Sequence, residues 1–225
     1  MSGFKKYDNR ADLFKGLANV VEAQLRAALT QKGRATLAVP GGTTPAPFFE
    51  HLRQADLDWA NVTVLLTDER FVPESSDRSN TRLLRETLLR DRAAQAVLVP
   101  LYQPADTPEE VLTALQSGVS AVLPLDVCVL GMGADMHTAS IFPEADLLAE
   151  ALADDAAVLL PMRAPNAPEP RLTLTAPVLR GAGHVHILIA GVEKEAAFEQ
   201  ARMAETSLDA PIRIVQEQAQ THYAD

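Results

Sequence analysis

Four short apolar runs, each followed by a polar or glycine-rich segment, constrain the fold of this chain more than any other feature. They are ATLAV at 35–39, VTVLL at 62–66, LDVCVL at 125–130 and HVHILIA at 184–190. Runs this short, apolar at most positions rather than at alternate ones, read as strands buried on both faces, as in a parallel sheet covered by helices. Stretches of helical spacing lie between them. Leu13, Leu17, Val20, Val21, Leu25, Ala28 and Leu29 repeat at helical intervals over 12–29, and Gly33 is placed to close that helix. Thr107-Pro108-Glu109-Glu110 has the form of a capping box with proline at the first helical position, opening a helix to about 122. Shorter helices are expected near 48–53, 81–90 and 193–204, a further strand at 157–160, and an extended loop in the proline-rich 164–170. Strands that alternate with helices indicate an α/β fold: a mostly parallel, Rossmann-like sheet with helices on both faces. The 225 residues contain no long linker, repeat or low-complexity tract, so residues 1–225 are expected to form a single domain.

Charge narrows the range of partners. Against 20 Lys and Arg stand 30 Asp and Glu, for a formal charge of -10. That balance opposes nonspecific binding to nucleic acid or to anionic membranes, both of which need a positive field. No apolar run nears the ~18 residues that cross a bilayer, and no apolar core of a secretory signal follows Lys5 and Lys6. The one cysteine, Cys128, lies in an apolar run, which precludes an internal disulfide and fits a reducing compartment. A cytoplasmic protein is expected, with neither nucleic acid nor membrane as partner. An anionic ligand would require its own local cluster of cations and backbone amides.

Three unusual segments follow expected strands, where ligands bind in open parallel sheets. The first is Pro40-Gly41-Gly42-Thr43-Thr44-Pro45. Gly41 and Gly42 allow close backbone approach, and Thr43 and Thr44 add hydroxyl donors, which together suit a phosphate cradle at a helix amino end. The same residues also suit a plain strand-to-helix turn, and no Gly-Lys-Ser/Thr follows to make a P-loop. The second, Thr67-Asp68-Glu69-Arg70, offers Arg70 as a bidentate partner for a substrate oxygen and Asp68 as base or orienting acceptor; a self-paired, solvated charge cluster is the alternative. The third, 131–140, begins Gly131-x-Gly133, but Met136 stands where a dinucleotide fingerprint needs its third glycine. Its His137 is suited to general-base work near neutral pH, with Asp135 positioned to orient the ring. Arg171 and Lys194 are isolated cations at the edges of apolar segments. His184 and His186 share a strand face without an evident third ligand, so no metal site is expected. The absence of Gly-x-Ser-x-Gly removes a serine-hydrolase elbow.

Together these segments resemble the 6-phosphogluconolactonase family. The resemblance is carried, in family order over about 39–194, by Val39-Pro40-Gly41-Gly42-Thr43-Thr44-Pro45, by 66–73 with Ser79-Asn80, by 130–143, by Arg171-Leu172-Thr173-Leu174-Thr175, and by Gly191 with Lys194. It implies hydrolysis of a phosphosugar lactone, 6-phospho-D-glucono-1,5-lactone, in the oxidative pentose phosphate pathway, with no organic cofactor and no metal. By the resemblance His137 is the base that activates water. Arg70 holds substrate or the developing oxyanion, and the Gly42–Thr44 loop, Arg171 and Lys194 hold the phosphate. The chain departs from the family at Met136, where glycine is usual; a positive φ there would strain a methionine. Two alternatives are a glucosamine-6-phosphate deaminase or isomerase, with Asp68 as base, and a sugar-phosphate-sensing domain without turnover. The second usually accompanies a DNA-binding module, and no helix-turn-helix precedes the first strand here.

Overall fold

A computed structural model describes residues 3–165 and 167–225. The chain opens with β1 (Phe4–Lys6) and the long helix α1 (Arg10–Lys32). Asn9 caps α1 by accepting from the Asp12 amide at 3.0 Å, and Gly33, at φ 69, closes it as expected. Next come β2 (Ala35–Val39), α2 (Ala46–Leu52), β3 (Val62–Leu66), β4 (Asp68–Arg70), α3 (Asn80–Thr87), β5 (Val97–Val99) and α4 (Pro108–Ser120). The second half contains β6 (Val127–Leu130), α5 (Leu148–Leu152), β7 (Leu159–Met162), β8 (Arg171–Leu174), α6 (Ala176–Arg180), β9 (His184–Ala190), α7 (Val192–Met203), α8 (Arg213–Gln216) and β10 (Gln220–Ala224).

Among the described residues seven strands form one parallel sheet, flanked by helices, in the order β1-β10-β9-β6-β2-β3-β5. The four apolar runs are its centre. Leu37, Val39, Val64, Leu65, Val129, Leu130 and Ile187 are wholly inaccessible, as are Leu13, Leu17, Val21 and Leu25 on the packed face of α1. At about 25 cal/mol per Å² of buried apolar surface, this core is the main stabilising term. The sheet order also fixes where a ligand can enter. After β2 the chain moves to β3 on one side; after β6 it moves to β9 on the other. β2 and β6 are neighbours, so their following loops diverge from a topological switch point, and a crevice opens at their carboxyl ends.

The second sheet was not foreseen. β4, β8 and β7 pair antiparallel in that order. β4 follows β3 after a single residue, Thr67, whose amide still bonds to the Val39 carbonyl at 2.8 Å and whose carbonyl accepts from the Leu174 amide at 2.9 Å. The expected strand at 157–160 is β7, shifted two residues. The helix at 108 begins where expected, but the capping box is not made. The Thr107 hydroxyl donates to the Glu110 carboxylate at 2.9 Å instead of accepting from a helix amide. No helix or strand occupies 164–170 among the described residues, and Asn166 of that segment lies outside them. Among the described residues no helix is long and apolar enough to cross a membrane.

Candidate active site

A cleft of about 280 Å³ lies at the switch point. Its floor is made by the loops after β2 and β6, which come so close that a Cβ on Gly131 would lie 4.0 Å from the Pro40 ring. Gly41, Gly42 and Thr44 line it from the first expected segment, Asp68 and Arg70 from the second, and Gly131, Gly133 and His137 from the third. Arg171 and Lys194 complete the walls. Of the ten expected site residues, Thr43 and Asp135 lie outside the lining. Thr43 is exposed and contributes its carbonyl to the start of α2, accepting from the Ala46 amide at 3.3 Å. Asp135 stands behind His137.

The loop after β6 is built to present that histidine. The Gly133 amide donates to the His137 carbonyl at 2.9 Å, and the Thr138 hydroxyl donates to the Gly131 carbonyl at 2.9 Å. His137 Nδ1 lies 2.5 Å from Asp135 Oδ1. An ionised carboxylate only accepts, so Nδ1 carries a proton, and in the neutral ring the lone pair is the one on Nε2. The hydrogen bond from His137 holds Asp135 below the usual carboxylate range, overcoming the opposite effect of its partial burial. The pair closes over Gly133, where a Cβ would fall 2.2 Å from both Asp135 Oδ1 and His137 Nδ1. The ring also packs on Phe142, with centroids 4.3 Å apart.

Met136 adopts φ 65, the left-handed conformation in which a side chain is strained. Its amide bonds to the Gly133 carbonyl and its carbonyl accepts from the Ile212 amide, each at 3.1 Å, so tertiary bonds hold a backbone shape that glycine would adopt freely. Ala139 (φ 50) and Glu144 (φ 63) repeat the feature nearby.

The β4–β8 ladder forms the facing wall. Asp68 is buried, and its Oδ2 accepts from the Ser140 hydroxyl at 2.5 Å. The Ser140 amide bonds to the Thr173 hydroxyl at 3.1 Å, which ties the histidine loop to β8. Arg70 and Arg171 are direct partners across the ladder. Like charges in that relation are unfavourable by themselves. Each has a buried Nε with no hydrogen-bond partner among the described residues. Burial pulls the Arg171 guanidinium below its usual range, against the raising effect of Asp68 and with the lowering effect of Arg70. Arg171 also stands over the Phe142 ring, 5.8 Å from its centroid. Lys194 sits in the first turn of α7, behind Gly191 at φ 92, and forms no salt bridge among the described residues. Three cations and an exposed helix amino end thus surround one cleft in an acidic protein, an arrangement suited to an anion.

Glu69 does not join Arg70 in a self-paired charge cluster. It turns inward and accepts from the amides of Arg70 (2.7 Å), Asn80 (2.8 Å) and Thr81 (2.7 Å), closing the amino end of α3. Burial pushes its pKa up in spite of these donors. Ser140 and Asn80 lay within recognised segments, yet no local signal assigned them a task, because their partners are distant in sequence.

The family model described as glucosamine-6-phosphate isomerases/6-phosphogluconolactonase matches residues 8–223. The 6-phosphogluconolactonase of Rhizobium meliloti is 47% identical over 212 residues, covering 93% of this chain and 91% of the relative. That of Pseudomonas aeruginosa is 42% identical over 213 residues, covering 94% and 90%. The crystal structure of a 6-phosphogluconolactonase from Shewanella baltica superposes with a TM-score of 0.94 at 33% identity, covering 99% of this chain and 97% of that one. A monomeric glucosamine-6-phosphate deaminase shares the fold, with a TM-score of 0.80 at 15% identity over 98% of this chain and 95% of that one.

Proposed function

This chain belongs to the family of glucosamine-6-phosphate isomerases and 6-phosphogluconolactonases, and from that premise we infer that it is a lactonase. It hydrolyses 6-phospho-D-glucono-1,5-lactone to 6-phospho-D-gluconate in the oxidative pentose phosphate pathway. The observation that carries the mechanism is the juxtaposition in one cleft of a carboxylate-oriented histidine and three cations that form no salt bridge among the described residues.

In this reading His137 Nε2 takes a proton from water as the water oxygen bonds to the lactone carbonyl carbon. The carbonyl π electrons move onto oxygen. The tetrahedral intermediate collapses, the ring C–O bond breaks, and the proton returns from His137 to the departing ring oxygen. The new carboxylic acid then ionises. A lactone carbonyl is electrophilic enough for base-assisted water and oxyanion stabilisation to suffice. Asp135 fixes the tautomer and stabilises the transient imidazolium. Arg70 places a guanidinium on substrate oxygen that carries charge. Arg171, Lys194 and the Gly41–Thr44 loop hold the phosphate, with Thr43 the least direct member because it lies outside the lining. Asp68 orients: one of its oxygens is committed to Ser140 and, through it, to the histidine loop. A deaminase would need Asp68 as base, whereas here Asp68 Oδ2 is held by the Ser140 hydroxyl and His137 is the cleft residue with a carboxylate orienting its ring.

The acidic balance and the single buried thiol support a cytoplasmic enzyme acting on a small molecule, with residues 1–225 as one sugar-phosphate-hydrolysing domain. Substitution tests the phosphate side. Arg171→Ala and Lys194→Ala should each raise KM for the phosphorylated lactone about tenfold or more relative to unphosphorylated glucono-1,5-lactone, as expected for a lost charge-assisted bond. Equal effects on the two lactones would contradict phosphate contact.

A further inference from the structure

We propose that Asn80 is a positioning residue: its side-chain amide aims the Arg70 guanidinium at substrate without neutralising it, and it reserves position 41 for glycine. The proposal rests on the reading of Arg70 as a substrate-binding group.

Asn80 is the first residue of α3 and is almost wholly buried, yet it borders the cleft. Its backbone is fixed on both sides. The Asn80 amide donates to Glu69 Oε1 at 2.8 Å, and Ser79 caps the helix by accepting from the Arg82 amide at 3.2 Å. From that anchor the side chain uses both of its ends. Nδ2 donates to the Asp68 carbonyl at 3.0 Å, and Oδ1 accepts from Arg70 Nη1 at 3.3 Å. The other partner of Nη1 is the Arg78 carbonyl at 2.7 Å. Both acceptors on Arg70 among the described residues are neutral, so they direct the guanidinium while its charge stays available to an anion. A carboxylate at position 80 would cancel that charge and lose the donor to Asp68. A smaller side chain would leave Nη1 with the Arg78 carbonyl alone. The same amide lies against Gly41, where a Cβ would meet Asn80 Cγ at 2.1 Å, Oδ1 at 2.2 Å and Nδ2 at 2.3 Å. One side chain thereby locks the loop after β2, strand β4 and the start of α3 into a single arrangement.

Two epistasis measurements test this, using kcat/KM for 6-phosphoglucono-1,5-lactone and thermal denaturation to confirm folding. Asn80→Ala should lower kcat/KM roughly tenfold, the scale of one lost hydrogen bond to a charged group, and Arg70→Ala should lower it further. The double variant should be no worse than Arg70→Ala, because Asn80 acts through Arg70. Gly41→Ala should impair the enzyme, and adding Asn80→Ala should restore part of its rate, since the clashing atoms are gone. If Asn80→Ala does not fold, Asn80→Ser takes its place in both cycles. Wild-type kcat/KM at position 80 with Arg70→Ala impaired would overturn the role of Asn80 alone. Wild-type kcat/KM in Arg70→Ala would overturn the reading of Arg70 and this proposal with it. Multiplying effects in the first cycle, or no restoration in the second, would also overturn the proposal.

Discussion

His137 and the His186–His222 pair place the same side chain in opposite surroundings. His137 is about a quarter exposed on the cleft wall; one ring nitrogen is tied to a carboxylate and the other has no partner among the described residues. His186 and His222 are buried in the sheet, and every ring nitrogen is used. His186 Nε2 lies 2.8 Å from Gln24 Oε1, an acceptor, so it carries a proton. His186 Nδ1 then accepts from His222 Nε2 at 3.1 Å, and His222 Nδ1 accepts from the Tyr7 hydroxyl at 2.8 Å. The direction of the chain is set at the glutamine, and neutral rings satisfy it completely. Burial is the chief cause that lowers His186 to about 4 and His222 to about 3, with His184 acting on the first and His186 and Lys5 on the second. A histidine with both nitrogens committed holds structure together, here α1 to β9 and β10 and to the residue following β1. A histidine with one nitrogen oriented and the other open can move a proton.

Substitution should separate the two sites in opposite directions. His137→Ala should lower kcat for lactone hydrolysis by about 10²–10⁴, the usual contribution of a general base, while its thermal midpoint stays close to that of the parent. A variant with undiminished kcat would erase the distinction. His222→Ala should do the reverse: unfolding free energy in urea should fall by about 3 kcal/mol, from a cavity and two orphaned polar partners, with kcat of the folded enzyme unchanged. Acid should act on the same ring pair. Their folded pKa values lie below the ordinary histidine value of 6.5, so the unfolded chain binds more protons as pH falls. Stability from this source is complete above about pH 6.5 and declines toward pH 4, by on the order of 2 kcal/mol per ring at about pH 5. The urea midpoint against pH should show that slope in the parent and a shallower one in His222→Ala; equal slopes would assign the acid sensitivity elsewhere.

How far such sites can be read from sequence follows from where their partners lie. β2, β3, β6 and β9 were legible because strands buried on both faces must be apolar nearly throughout, and α1 was legible from its spacing and Gly33. β10 was not: Gln220, Thr221 and His222 are polar, and the burial of Thr221 and His222 is tolerable only through bonds to β9 and the start of the chain. β4 and β8 were recognised as motifs but not as paired strands, since Arg70 and Arg171 meet across a hundred residues. The candidate site was legible as three loops and two cations because glycines, carboxylates and arginines after strands are locally conspicuous. What tertiary structure added was Ser140 on Asp68, Asn80 between Arg70 and Gly41, and Glu69 turned away from solvent. Met136 stood out as a departure from the family pattern; its left-handed backbone became visible only with the loop folded around it.

The central claim concerns the reaction itself. The most direct test follows the disappearance of freshly generated 6-phosphoglucono-1,5-lactone in the presence of catalytic amounts of this protein, with glucosamine 6-phosphate as the parallel substrate. The expected result is rapid, multiple-turnover loss of the lactone with matching appearance of 6-phosphogluconate, and no ammonia from the aminosugar. Lactone decay at its spontaneous rate, or release of ammonia instead, would contradict it.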